Sequence, residues 1–170
     1  GVDTLNGNNG NDLIVGGTGD DVLSGGRNDD TFIWKDGDGQ DAIDGGDQTD
    51  RLELYDDGDM VYDDYILLAF GGGNRLETIE SVDGTRDIVA DDNANVLNFG
   101  GTDLIGIDNI WAGDGDDTIT AARNASAVIY AEEGNDTVHG NNSGADEIYG
   151  GPGVDTLNGN NGNDLIVGGT

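Results

Sequence analysis

Large apolar residues recur along this chain at short, regular intervals, each bracketed by polar residues or glycine. Ile14, Leu23 and Phe32 lie nine residues apart, and Ile43 and Leu52 extend the row. A second row holds Ile119, Val138, Ile148, Leu157 and Ile166. Each follows an aspartate by two positions: Asp12, Asp21, Asp30, Asp41 and Asp50, then Asp117, Asp136, Asp146, Asp155 and Asp164. One inward residue between two outward neighbours is a short strand, because strand side chains alternate faces. The glycine-rich half of each nonapeptide is a turn. No segment keeps a 3.6-residue apolar period for three turns, so no helix is predicted. The pattern predicts an all-β chain wound as a solenoid. One nonapeptide makes half a coil, and residues 18 apart stack about 4.8 Å from each other.

The nonapeptide-like segments start at Gly7, Gly16, Gly25, Asp36 and Gly45, then at Ala112, Ala121, Ala131, Gly140, Gly150 and Gly159. Segment 121 (A-A-R-N-A-S-A-V-I-Y) lacks both glycines and the aspartate. It predicts a strand without a metal at its turn. Residues 54–111 depart from the pattern. Tyr65–Phe70 and Leu76–Ile79 flank Gly71-Gly72-Gly73-Asn74, which predicts a hairpin. Val96–Phe99, Leu104–Ile107 and Ile110-Trp111 predict further short strands, or solenoid coils without metal. The expected organisation is a repeat run over 1–53, an irregular β insert over 54–111, and a second run over 112–170.

Residues 1–18 (GVDTLNGNNGNDLIVGGT) are identical to residues 153–170, an offset of 152. Either the chain is a window on a tandem array of near-identical units, or one end is duplicated. In an array the ends are cuts, residue 155 is equivalent to 3 and residue 164 to 12. The two runs then merge into one solenoid across the unit boundary.

Charge narrows the picture. The chain has 36 acidic residues, thirty of them Asp, against one Lys and five Arg, for a net charge of −30. That balance argues against nucleic acid as a partner, since phosphate binding needs clustered Lys and Arg, and against anionic membranes. The longest apolar run, Tyr65–Phe70, is far too short to span a bilayer. No basic segment followed by an apolar one opens the chain. There is no cysteine, hence no disulfide or thiolate metal site.

Winding the nonapeptides stacks the aspartates in two columns. One holds Asp117, Asp136, Asp155 (equivalent to Asp3), Asp21 and Asp41, and the other Asp146, Asp164 (equivalent to Asp12), Asp30 and Asp50. Carboxylates this close repel, and a divalent cation between successive turns reverses the sign. Ca²⁺ suits this arrangement: it takes six to eight oxygens in a tolerant geometry, whereas Mg²⁺ demands a tighter octahedron. Carbonyls bared by the glycine turns complete the set. The columns hold up to about seven ions, and folding is expected to require them.

The segments G-G-T-G-D-D-V-L-S (16–24), G-N-N-G-N-D-L-I-V (7–15) and G-G-P-G-V-D-T-L-N (150–158) fit the pattern G-G-x-G-x-D-x-U-x, in which U is a large apolar residue. On these the chain resembles the RTX family of secreted bacterial proteins. The resemblance implies a right-handed parallel β-roll, Ca²⁺ between turns, type I secretion and folding outside the cell. It assigns turn glycines to Gly7, Gly10, Gly16, Gly17, Gly19, Gly25, Gly26, Gly150, Gly151, Gly153, Gly159 and Gly162. Asn8, Asn28 and segment 121 depart from it.

Other features carry less. Asp56-Asp57-Gly58-Asp59 is expected to be a solvated loop. Asp36-Gly-Asp38-Gly lacks the glycine and helices of an EF-hand. His139, the sole histidine, is expected to be exposed, and neither a nucleophile elbow nor a zinc ligand set accompanies it. Trp34 and Trp111 are expected to pack or cap rather than stack on carbohydrate, and Tyr55, Tyr62 and Tyr65 are candidates for a binding face. The expected function is non-enzymatic: a calcium-stabilised module of a large extracellular surface protein, adhesin or filament, abutting identical units. The alternatives are an accessory domain of a type I-secreted enzyme and a calcium-dependent ligand-binding module, with surface or matrix glycans as candidate partners.

Overall fold

The computed structural model describes residues 1–35, 37–55, 65–67, 76–82, 84, 86–124 and 127–170. All regular structure among them is β, in four parallel sheets. The first contains β1 (Thr4–Asn9), β3 (Val22–Arg27) and β5 (Ala42–Asp47). The second runs through β2 (Leu13–Val15), β4 (Thr31–Lys35), β6 (Arg51–Tyr55), β8 (Thr78–Ser81) and β11 (Asp103–Ile105). The third runs through β7 (Tyr65–Leu67), β9 (Arg86–Val89), β12 (Ile107–Trp111), β14 (Val128–Tyr130), β16 (Glu147–Gly151) and β18 (Leu165–Gly169). The fourth contains β10 (Val96–Asn98), β13 (Thr118–Thr120), β15 (Thr137–His139) and β17 (Thr156–Asn158).

Chain order makes these sheets the walls of one solenoid of about seven turns. At the start the strands alternate between the first and second walls, so two nonapeptides close a coil and Leu5 pairs with Leu23. Between β8 and β13 each circuit visits the second, third and fourth walls in turn. Coils are longest around this section: Leu52 pairs with Ile79 and Ile79 with Leu104. They shorten again toward the other end, where Ile148 pairs with Ile166.

The core is the stack of U residues. Leu23, Phe32, Leu52, Ile119, Val138 and Ile148 are all buried, and Ile79, Ile88, Leu97, Leu104 and Ile110 continue the rows through the irregular region. These five therefore act as coil residues although no nonapeptide surrounds them. Segment 121 contributes its predicted strand as β14.

The hairpin expected around Gly71–Asn74 is corrected. β7 pairs with β9 and β8 with β6 and β11, all parallel, so the two arms belong to different walls. In a wound chain, consecutive strands face each other across the core and find partners one coil away. The Gly71–Asn74 stretch itself lies outside the described residues, as do Asp36, Asp56-Asp57-Gly58-Asp59 and Tyr62. Trp34 is buried and donates its indole N–H to Gly39 O at 3.1 Å, which fits a packing role. His139 is exposed.

Candidate metal centres

Most of the glycine turns share one backbone shape, which the turns of segments 121 and 140 lack. The second and fourth positions of the nonapeptide both adopt positive φ: 79° and 120° at Gly17 and Gly19, 98° and 150° at Gly151 and Gly153. Asn8 (71°) and Asn28 (80°), the departures from the glycine pattern, take the same conformation. Asparagine tolerates the left-handed region better than other side-chain-bearing residues, so the turn survives these changes. At the fourth position glycine meets a second demand. A Cβ on Gly39 would lie 2.7 Å from Gly19 O in the neighbouring coil. Gly19, Gly153 and Gly162 likewise face carbonyls of Gly1, Gly134 and Gly144. The turns thus stack backbone carbonyls in rows.

Beside these rows run the position-six aspartates. The N–H of Asp3 donates to Oδ1 of Asp21 (2.7 Å), and that of Asp21 to Oδ1 of Asp41 (3.0 Å). Asp12, Asp30 and Asp50 repeat this on the second edge, both bonds at 2.8 Å. Farther along, Asp117 donates to Asp136 (2.8 Å), Asp136 to Asp155 (3.1 Å) and Asp146 to Asp164 (3.1 Å). Each carboxylate oxygen therefore clamps the backbone one coil back.

The other oxygen is different. Oδ2 of Asp12, Asp21, Asp30, Asp50, Asp117 and Asp136 is buried and accepts no hydrogen bond. Where the turn opens on glycine, Oδ2 lies against that glycine: a Cβ on Gly7, Gly16 or Gly150 would lie 2.5 Å from Oδ2 of Asp12, Asp21 or Asp155, whereas Ala112 and Ala131 open the turns of Asp117 and Asp136. Gly25 and Gly159 hold the same relation to Asp30 and Asp164. Gly10 instead turns the chain at φ 121° and donates its N–H to Arg27 O. Burial pushes the Asp41 and Asp50 carboxyls up to about 6 and Asp117 to about 7; backbone hydrogen bonds oppose this, and neighbouring carboxylates add to it. Asp136 and Asp146 shift the same way, for the same leading reason.

A buried, unpartnered carboxylate oxygen beside stacked carbonyls is a donor set for a hard cation. Among the described residues no three Asp, Glu or His side chains converge on one point. A cation here would therefore bind few carboxylates and complete its shell from the backbone. Asp146 departs from the rule, because Asn141 donates to both of its oxygens, at 2.9 and 2.6 Å.

Three features of the ladder escape the nonapeptide pattern. Glu77 Oε2 accepts the Asp50 N–H at 2.7 Å, extending the second row where the coil lengthens to 27 residues. Asn95 holds the equivalent place before Asp117 and donates its N–H to it at 2.7 Å. The position-five residues form a second, exposed ladder of opposite polarity: Asp20, Asp29 and Asp116 accept N–H groups of Gln40, Thr49 and Asn135 in the following coil. The coil spacing itself was the signal for that ladder, since Asp20, Asp29 and Asp116 each precede a position-six aspartate. At segment 121 the contact is of another kind. Asn124 exchanges two hydrogen bonds with the backbone of Leu104, and Arg123 grips the Asp103 carboxylate with two bonds of 3.0 Å.

Parallel coils, glycine turns and buried carboxylate rows define a metal-binding β-solenoid. The family description that matches is the RTX calcium-binding nonapeptide repeat, in four copies over residues 1–32, 102–125, 128–142 and 141–170. The chain belongs to this family and is a calcium-binding repeat module. No curated protein and no solved structure matches it.

Proposed function

We propose that the chain is one unit of a calcium-locked rod in a larger secreted bacterial protein, exported by the type I route typical of RTX repeats. The observation that carries this is the use of the 18 duplicated residues. As residues 1–18 they pair with the coil that follows, through Thr4↔Val22 and Leu13↔Thr31. As residues 153–170 they pair with the coil that precedes, through Thr137↔Thr156 and Glu147↔Leu165. One sequence thus offers a partner on each edge. Superimposing the two copies joins the fourth wall to the first and the third to the second. The aspartate row then continues from Asp136 through Asp155, equivalent to Asp3, to Asp21.

Ca²⁺ would be held by the free oxygens of Asp12, Asp21, Asp30, Asp50, Asp117 and Asp136 with carbonyls of the glycine turns. Bound there, it supplies positive charge that cancels repulsion along each row. Low calcium inside the cell and high calcium outside then favour an unfolded chain during export and a stiff one after it. A mechanical role in an adhesin, surface layer or filament follows from that stiffness.

The test is a protein of one, two and three units in calcium, measured by small-angle X-ray scattering. Seven coils per unit predict that each added unit lengthens the particle by roughly 34 Å along one axis. Units that scatter as independent beads on flexible joints would defeat the rod.

A further inference from the structure

The outer surface of the third wall carries a feature that calcium binding does not use. Trp111 and Tyr130 end β12 and β14, and Tyr149 lies in the middle of β16, the three in register. Their rings stack at centroid distances of 4.0 and 4.9 Å, with interplanar angles of 8° and 9°. Their spacing of 19 residues equals the local coil length. Beside them lies a groove of about 370 Å³, lined by the three rings and by Asp114, Glu132, Glu133 and Pro152.

Two properties of this groove specify its occupant. First, it offers acceptors. Among the described residues, no hydrogen bond or ion pair engages the carboxylates of Asp114, Glu132 or Glu133. The indole N–H of Trp111 is engaged by Asp87 (3.0 Å), and the Tyr149 hydroxyl by Glu147 (2.5 Å). Second, both faces of the Tyr130 ring are covered by its two neighbours, so the middle of the row presents edges only. A sugar ring needs an open face to stack on. A donor-rich cation with an aliphatic stem needs neither an open face nor a protein donor.

Glu132 strengthens the case. It holds φ +71° at the second turn position, where the next two coils have Gly151 and Gly169. A glutamate there carries backbone strain that glycine would avoid, yet it places a carboxylate on the groove.

We propose that this groove binds the guanidinium or ammonium side chains of a basic peptide segment, with Glu132, Glu133 and Asp114 as charge partners and the aromatic row as the bed for the aliphatic stem. This site does not depend on the rod reading.

The experiment titrates the calcium-loaded chain with acetyl-tetraarginine amide by calorimetry. The citrulline counterpart and cellohexaose are the comparison probes. Glu132→Gln with Glu133→Gln is expected to weaken arginine binding about five-fold or more. Asp20→Asn with Asp29→Asn removes the same charge elsewhere and is expected to change it less than two-fold. Glu132→Gly is expected to weaken binding while leaving the melting temperature equal or higher, which separates ligand loss from misfolding. Equal losses in the two double variants would mean attraction by net charge alone and would overturn the site. Binding of cellohexaose in preference to tetraarginine would overturn the cation assignment.

Discussion

The backbone N–H of Asp21 donates to Oδ1 of Asp41, 3.0 Å away and 20 residues later in sequence. The carboxylate of Asp21 in turn accepts the N–H of Asp3 through Oδ1 and leaves Oδ2 buried without a partner. One side chain therefore registers two coils and leaves one buried oxygen without a hydrogen bond.

Asp21→Asn retains an oxygen for the Asp3 N–H and removes the charge. The calcium concentration at half-folding, followed by circular dichroism, is expected to rise several-fold, since a neutral amide is a poorer ligand for a hard ion. Asp20→Asn, at the exposed neighbouring position, is expected to leave that midpoint nearly unchanged.

Gly16 packs closely against the carboxylate of its own turn, in a coil that has no alanine at this position, unlike those opened by Ala112 and Ala131. Gly16→Ala places a methyl 2.5 Å from Asp21 Oδ2 and is expected to destabilise the calcium-loaded fold by about 1–3 kcal/mol in urea unfolding. Gly101→Ala meets nothing within 4 Å, and a change below about 0.5 kcal/mol is expected. Similar losses at both sites would remove the steric argument.

Acid acts with opposite sign with and without metal. The Asp41, Asp50 and Asp117 carboxyls lie at about 6, 6 and 7 in the metal-free coil, above the 3.8 of an ordinary aspartate. A raised carboxyl favours the folded state most below 3.8, and that contribution disappears as pH rises through 6 to 7. In chelator, β content is expected to increase from pH 8 to pH 5. In calcium, the metal concentration needed for folding is expected to increase over the same interval, because protons compete for the ligands. A chelated chain that loses structure on acidification would contradict the burial argument.

Glu77 closes the second row where the coil is longest. Glu77→Ala leaves the Asp50 N–H without its partner, and a loss of about 1–3 kcal/mol is expected in the presence of calcium. Glu77→Gln keeps an acceptor and is expected to recover most of it. No difference between the two variants would assign Glu77 a packing role only.

How much was legible follows from what repeats. Asp21 and Leu23 announce a buried turn carboxylate and a core residue because the same spacing returns at Asp30 and Phe32. Glu77 and Ile79 have the same relation two residues apart, and Gly72-Gly73 precede them at the spacing of the first two turn positions, but a glutamate stands where the pattern has aspartate, so their place in the wall is what shows it. The hairpin expected from two apolar runs around glycines failed for a related reason. Local composition marks strands and turns, while the partner of each strand is chosen one full circuit away. The aromatic row was present in the spacing of Trp111, Tyr130 and Tyr149, but its meaning needed the length of the coil.

The sequence by itself determined the winding. Period nine fixed the strand, the turn glycines and the aspartate beside each buried U residue, because each is a local requirement of backbone geometry and side-chain alternation. Only the tertiary structure decided which oxygen of each aspartate is engaged, where the coil opens from two walls to three, and which outward side chains meet in a groove. Those depend on coil length, and coil length varies from 18 to 27 residues along one chain, so neighbours in space are set by the whole path between them.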